Sequence, residues 1–488
     1  MADNVNANWG FGMRYGSVCS GVEAASLAWE SLGWQPAWFA EIEPFPAAVL
    51  NHHWPHVPNH GDMTQLEARI LSGEIEAPDI LVGGTPCFTA GHMVLTAHGY
   101  KPIEDIVPGD LVVTHKGRLK PVIRIGSKLA EVGVLKAVGL PSGIICTAEH
   151  PFLSQECISR PTKRNGKYYK ETTTTPPKWT PAAEMAGKQW VSLSGFDLVG
   201  KDNLHSIFSD AEVMRLAGFY LGDGWIRRWT GKNKKAVIFG LNAKKYEQFR
   251  QFFPRINHVA TKEKTVIKVS VCNTELAEFL SAEFGEKSYG KRIPAWVLNH
   301  PDRQNLLNGY MLTDGSKSAN GFTANTVSKA LAYGVAGLAQ TLGYVASVAK
   351  VATNATTIID GRVVNQRDYY QMRAFLQAVS RKSRQDENRI LRAVSKFEIV
   401  GSDTVFNIEV ADDNSYIVEN AVVHNCQAFS AAGLRNSLAD ERGNLTLVLV
   451  RILNAIDDVR KRLGKPPAIL IWENVPGVLS TKDNAFGS

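Results

Sequence analysis

Two cysteines stand where a thiol can act as a nucleophile. Cys87 follows Gly83-Gly-Thr-Pro86 and opens Cys-Phe-Thr-Ala-Gly-His-Met-Val; Cys426 follows His424-Asn425 and opens Cys-Gln-Ala-Phe-Ser430. A cysteine thiol can attack a carbonyl and exchange a peptide for a thioester. Joining Pro86 to Cys426 gives Gly-Gly-Thr-Pro-Cys-Gln-Ala-Phe-Ser without a gap, so the two cysteines bracket a removable stretch, 87–425. Inside it, Thr147-Ala-Glu-His150 carries a histidine, a side chain able to move protons near neutral pH. Two segments repeat one pattern: Leu216-Ala-Gly-Phe-Tyr-Leu-Gly-Asp-Gly224 and Leu307-Asn-Gly-Tyr-Met-Leu-Thr-Asp-Gly315. Their small residues Ala217, Gly218 and Gly309 allow two helices to pack closely, each ending in an aspartate, Asp223 or Asp314.

The elements around these residues fall into three kinds. Before Cys87, Arg14–Trp29 reads as a strand, a small-residue turn and a helix, a turn that lets backbone amides approach a ligand. Trp38-Phe-Ala-Glu-Ile-Glu43 reads as a second strand ending in acidic residues, and the acidic turn His60-Gly-Asp62 precedes the strand Ile80-Leu-Val. After Cys426 come an amphipathic helix, Thr446–Leu463, and a strand, Ala468–Trp472, that delivers Glu473-Asn-Val. Within 87–425, Val/Ile runs broken by Gly, Pro and Asp predict short strands at both ends. The basic segments Arg227–Lys235, Lys244-Lys245 and Thr261–Lys268 suit strands that track phosphates in a DNA groove.

Charge separates the same pieces. Residues 1–86 carry 2 Lys/Arg against 10 Asp/Glu and residues 426–488 carry 8 against 6, yet the whole chain is +7. The stretch 87–425 is therefore strongly basic inside acidic flanks, which points to separate origins and to nucleic acid as its partner. No run of about 18 apolar residues and no basic-then-apolar N-terminus occurs, so the expectation is a cytoplasmic protein with no membrane partner. Six cysteines without a Cys-x-x-Cys pair argue against a zinc site or a disulfide scaffold.

Three family resemblances follow from these motifs. The order of the flanking motifs, with Pro86-Cys426 rejoined, resembles a DNA (cytosine-5) methyltransferase. That resemblance implies S-adenosylmethionine as cofactor, with Ser20, Gly21, Glu41, Glu43 and Asp62 as candidate contacts. It leaves Glu41 and Glu43 undistinguished as the ribose ligand, and Cys19-Ser-Gly-Val-Glu departs from the family's Phe-x-Gly-x-Gly. It also implies that Cys426 adds to the six-position carbon of a flipped cytosine while Glu473 protonates ring nitrogen three. The start at Cys87, the Thr147-x-x-His150 block, Phe406–Tyr416 and the end at His424-Asn425-Cys426 resemble an intein. Splicing would then use Cys87, Thr147, His150, His424, Asn425 and Cys426, with no cofactor; Asn407 stands where an aspartate is common, and an amide carries no charge. The repeated segments resemble the LAGLIDADG dodecapeptides of homing endonucleases. This implies Mg2+ held by Asp223 and Asp314, Lys291 as an active-site lysine, and double-stranded DNA as partner.

The expected fold is multidomain. An α/β Rossmann-like methyltransferase half (1–86 and 426–488) is split by an all-β horseshoe, or Hint, splicing domain (87–205 and 396–425). That domain itself contains an α+β LAGLIDADG endonuclease domain (206–395). No counterpart of the methyltransferase's later motifs is present, so a lone spliced product is expected to methylate poorly or not at all unless a second polypeptide supplies the missing half. The alternative is a chain that splices slowly or not at all and acts mainly as a DNA endonuclease. A further alternative is a dead insertion in a protein that only binds S-adenosylmethionine or DNA.

Overall fold

The computed structural model describes residues 12–18, 20, 26, 29–41, 44–83, 87–164, 167–230, 233–264, 266–354, 356–359, 362–376, 383–425 and 445–472. The chain divides into two compact units. One comprises Met1–Cys87, Ile125–Leu129 and Cys426–Ser488; the other comprises Phe88–Arg124 and Ala130–Asn425. Among the described residues no helix is long and apolar enough to cross a membrane.

In the first unit, Arg14–Val18 lies between Gln35–Ala40 and Ile80–Gly83, and Ile469–Trp472 adds beyond Ile80–Gly83, all parallel. Continuous apolar runs such as Ile80-Leu-Val and Ile469-Leu-Ile suit strands covered on both faces. Their register pairs Ile469 with Ile80 and Leu470 with Leu81. Helix Leu445–Arg462 places Leu449, Ile452 and Ile456 on one stripe, which shares a core with Leu66 and Ile70 of helix Leu66–Leu71 and with Leu81. At the end of that helix Arg460, 3% exposed, donates to the Pro78 carbonyl (3.0 Å) and to Asp79 Oδ1 (2.8 Å). Residues on both sides of 87–425 thus build one sheet and one core.

The second unit contains a sheet of 13 strands among the described residues, and it too brings sequence ends together. Its first strand, Phe88–Thr89, pairs with Arg389–Val410 and with Leu140–Cys146. Its last hairpin, Ser415–Val418 with Ala421–His424, touches Pro151–Gln155 through Phe152 and Val423. Phe88, Ile144, Phe152, Trp190, Ile408, Tyr416 and Val423 share the core beneath. The division expected at 395/396 lies inside one strand. Ser383–Asp386 already pairs with Arg389–Val410, one 22-residue strand that also pairs with Gln189–Leu193 and runs through the expected boundary.

Between these strands lie two helix-and-sheet repeats. Helix Asp210–Asp223 leads into a sheet ordered Gly224–Arg228, Lys235–Leu241, Val266–Val271, Val259–Glu263. Helix Arg303–Thr313 leads into one ordered Gly315–Ser318, Gly321–Thr326, Tyr369–Leu376, Tyr344–Val351. The helices meet backbone to backbone. A Cβ on Gly218 would lie 2.0 Å from the Leu306 carbonyl oxygen, and one on Gly309 would lie 2.0 Å from that of Arg215.

Candidate functional site

At the start of the 87–425 stretch Cys87 is buried, 2% exposed, and the ring of the next residue, Phe88, lies 4.0 Å from that of His150. His150 closes a turn by donating its backbone N–H to the Thr147 carbonyl (3.2 Å). Among the described residues neither of its ring nitrogens has a hydrogen-bond partner. Burial, and then the proximity of His424, push its pKa down to about 3, so the imidazole is neutral at ordinary pH. At the far end His424 turns its Nδ1 to the Asn425 carbonyl and sets its ring edge-on to Trp179 at 4.7 Å. Asn425 is fully buried; its backbone N–H donates to the Asn414 carbonyl (2.9 Å), while its side-chain nitrogen and oxygen have no partner among the described residues. A buried amide left unsatisfied costs about 1–3 kcal/mol, and such exceptions mark strain or chemistry.

The two aspartates end the crossing helices, and their surroundings differ. Asp223 accepts from Lys245 Nζ at 2.6 Å. Asp314 keeps an exposed face, yet burial of its carboxyl, and then the charge of Asp223, raise its pKa to about 6. Lys291, 6% exposed, donates to the carbonyls of Tyr220 (2.8 Å) and Gly222 (3.2 Å). Burial lowers its pKa to about 8 against the opposing pull of Asp314 and Asp223. Gly222, Lys291, Asp314 and Tyr369 line a cavity of about 290 Å³. Two hard oxygen donors, one of them held part-protonated by burial and then by the charge of the other, fit a divalent cation, which would favour the ionised form of both. Lys245, expected beside Lys244 in a phosphate-tracking cluster, instead neutralises Asp223. Part of the remaining basic surface is also paired: Arg228 with Glu286, Lys235 with Glu278 (2.7 Å) and Lys268 with Glu263 (3.4 Å).

In the first unit Ser20 and Glu41 follow the carboxyl ends of adjacent parallel strands, where open α/β sheets bind ligands. Ser20 Oγ donates to the Ser17 carbonyl (2.9 Å) and accepts from Ala40 N (3.3 Å), tying the two strand ends. Asn59, which no motif singled out, accepts from the backbone N–H of both Glu41 (2.9 Å) and Gly61 (3.1 Å). It therefore brings the turn bearing Asp62 to Glu41; an Asn immediately before His60-Gly61 is the available signal for it. Asp62 Oδ1 caps Met63–Gln65 by accepting from Thr64 N (2.9 Å). Carboxylates and a hydroxyl gathered at one sheet end fit the hydroxyl-rich part of a nucleoside cofactor. Gly21, Glu43, Pro86, Cys426 and Glu473 lie outside the described residues.

A family model described as C-5 cytosine-specific DNA methylase matches residues 13–90 and 425–487, and one described as a Hint domain matches residues 86–144. Among curated relatives, a DNA N-6-adenine-methyltransferase of Escherichia phage P1 is 74% identical over 73 residues, covering 15% of this chain and 10% of that protein. An iron–sulfur cluster assembly SufBD family protein of Mycobacterium bovis is 24% identical over 368 residues (70% of this chain, 43% of that protein). An ATP-dependent DNA helicase Hel308 of Thermococcus kodakarensis is 23% identical over 486 residues (84% and 42%). The chain spans less than half the length of each of these relatives. Among solved structures, a mesophilic variant of the homing endonuclease I-DmoI has 14% identity and a TM-score of 0.25, covering 34% of this chain and 89% of that one. An Ssp DnaB mini-intein variant has 9% identity and a TM-score of 0.22, with coverage of 70% and 99%. By the matches to its flanks and to the start of the stretch between them, this chain carries a C-5 cytosine-specific DNA methylase sequence in two segments on either side of a Hint domain.

Proposed function

We propose that residues 87–425 are an intein that excises itself and joins Pro86 to Cys426. Cys87 Sγ attacks the Pro86 carbonyl and converts the peptide to a thioester; neutral His150 would take the thiol proton and return it to the departing nitrogen. The Cys426 thiol then takes over the acyl group. Asn425 Nδ2 attacks its own carbonyl carbon, assisted by His424 at that carbonyl oxygen. The Asn425–Cys426 bond breaks, and the freed amine of Cys426 captures the acyl group as an ordinary peptide. The observation that carries this function is Asn425 itself, the last residue before the second junction, buried with an amide free of partners among the described residues. Two facts support it further. The compact units divide at Cys87/Phe88 and Asn425/Cys426. Relatives with unrelated printed functions also align over 70% and 84% of this chain, more than the two flanks together contain.

The same proposal takes the first unit as a doubly wound, Rossmann-like methyltransferase half, the large sheet as a horseshoe-shaped Hint fold and the repeats as a LAGLIDADG endonuclease. In the endonuclease Asp223 and Asp314 would hold Mg2+, which supplies Lewis-acid stabilisation of charge on a DNA phosphate. Lys245 pairs with Asp223, Lys291 sets a positive charge beside the cavity, and the two sheets offer strands to the groove of double-stranded DNA. In the methyltransferase, S-adenosylmethionine supplies the methyl group and Ser20, Glu41 or Glu43, and Asp62 would hold it. The phage P1 relative is named for adenine N-6, but Cys426-Gln-Ala-Phe-Ser and Glu473-Asn-Val favour cytosine. Its ring carbon needs thiol addition and ring protonation, whereas an exocyclic amine needs neither.

The test is the intact mass of freshly expressed chain, followed over time with and without thiol. Release of 87–425 together with joined 1–86 and 426–488 is expected, and Asn425→Ala should stop release at the second junction. A mass that stays at 53.5 kDa overturns the splicing function.

A further inference from the structure

The two-residue turn between Ser415–Val418 and Ala421–His424 is Glu419-Asn420, with φ of +50 and +69. Positive φ at both positions favours Asn-Gly, so a glutamate in the first gives up conformational ease. Its carboxylate is 3% exposed and surrounded by donors. Lys329 Nζ lies 2.6 Å from Oε1, His92 Nδ1 lies 3.2 Å from the same oxygen, and the Tyr333 hydroxyl donates to Oε2 at 2.7 Å. Beside it Asn420 Oδ1 accepts from the Tyr100 hydroxyl at 2.7 Å. His92 Nε2 accepts from Ile145 N (3.0 Å), which leaves its proton on Nδ1, facing Glu419. Burial by itself would raise this carboxyl; His92 and then Lys329 outweigh it and hold the pKa at about 2.

These donors come from two places in the chain. His92 and Tyr100 lie just after Cys87, in the first strands of the sheet. Lys329 and Tyr333 lie in the first turns of helix Lys329–Thr341, which belongs to the second aspartate-bearing repeat. The residue that caps this helix, Ser328, accepts from Leu331 N (3.1 Å) and donates its hydroxyl to the Lys291 carbonyl (2.7 Å). One helix end therefore touches both the hairpin that leads to Asn425 and the backbone of the lysine beside Asp314.

We propose that Glu419 is a positioning residue for cleavage at the second splice junction, and that the endonuclease repeat supplies the grip on it through Lys329 and Tyr333. The strand Ala421–His424 starts at this turn and ends at the scission pair, so a turn held by a buried, triply contacted carboxylate fixes where Asn425 sits. The proposal rests on the splicing function proposed above.

The experiment uses the full chain, with Lys329→Met and Tyr333→Phe, neither of which alters the hairpin or the splicing residues. Release at the Asn425–Cys426 junction and thiol-induced cleavage before Cys87 are timed separately by mass spectrometry. Lys329→Met is expected to slow the first at least tenfold and leave the second within twofold. Tyr333→Phe should do the same more weakly, and Lys329→Arg, which keeps the charge, should restore release to within threefold. Equal slowing of both cleavages, no slowing in either variant, or failure of Lys329→Arg to restore release overturns the proposal. A wild-type chain that yields neither product instead removes the splicing function on which it rests.

Discussion

The splice-junction residues and the aspartate pair treat polarity in opposite ways. Around Asp223 and Asp314 the fold collects charge, two carboxylates with Lys245 and Lys291, next to a cavity of about 290 Å³. Around His150 and Asn425 it collects uncharged polar groups, fully buried and without hydrogen-bond partners among the described residues. The difference matches the chemistry proposed for each. Phosphate cleavage develops negative charge that fixed charges and a metal stabilise, whereas acyl transfer within one chain depends on nucleophiles and proton carriers held close to the carbonyls they act on.

Five tests sharpen that contrast. The largest effect is expected from Asn425→Ala, which should slow release at the second junction by about 10³-fold or more, since it removes the attacking group. DNA cutting by the same variant, read on gels against plasmid libraries, should be unchanged. Asp223→Asn or Asp314→Asn should reverse the pattern, lowering cutting by roughly 10²–10³-fold with splicing within twofold of wild type. If either aspartate variant abolished splicing, the two sites would not be chemically separate.

Smaller effects concern packing and pH. Gly309→Ala pushes a methyl group to 2.0 Å from the Arg215 carbonyl oxygen and must part the helices. A loss of about 1–3 kcal/mol in thermal unfolding is expected, with cutting impaired alongside. For His150 the folded pKa is depressed, so the unfolded chain binds more protons below its ordinary 6.5. Stability is therefore complete above about pH 6.5 and falls as pH drops toward 3, by roughly 1.4 kcal/mol per unit. His150→Gln should flatten that slope in unfolding measured from pH 7 to 4. Asp314 shares burial with His150 as the leading cause, but its pKa moves up rather than down, and at about 6 it puts a proton in competition with a cation. Calorimetric Mn2+ affinity should drop about fourfold between pH 7.5 and 5.5.

How much of this was legible in the sequence follows from how local each signal is. The order of methylase segment, Hint start and methylase segment was readable because each motif is a short contiguous run, and rejoining Pro86 to Cys426 restores one of them. The contact of the two repeat helices was readable because only glycine allows backbones to touch, and Gly218 and Gly309 sit at the same place in the repeat, five residues before their aspartates. The end of the inserted repeats is hard to read from sequence because a strand can cross between partners without any break in its own pattern, as Arg389–Val410 does across 395/396. Burial and pairing were decided by tertiary structure alone. Nothing in Lys244-Lys245 says which lysine faces Asp223, and nothing in Glu419-Asn420 says that a carboxylate in a turn will be buried among His92, Lys329 and Tyr333. The residue types able to do chemistry are written into the chain one position at a time, but their charge states depend on neighbours brought from far along it, and only folding chooses those neighbours.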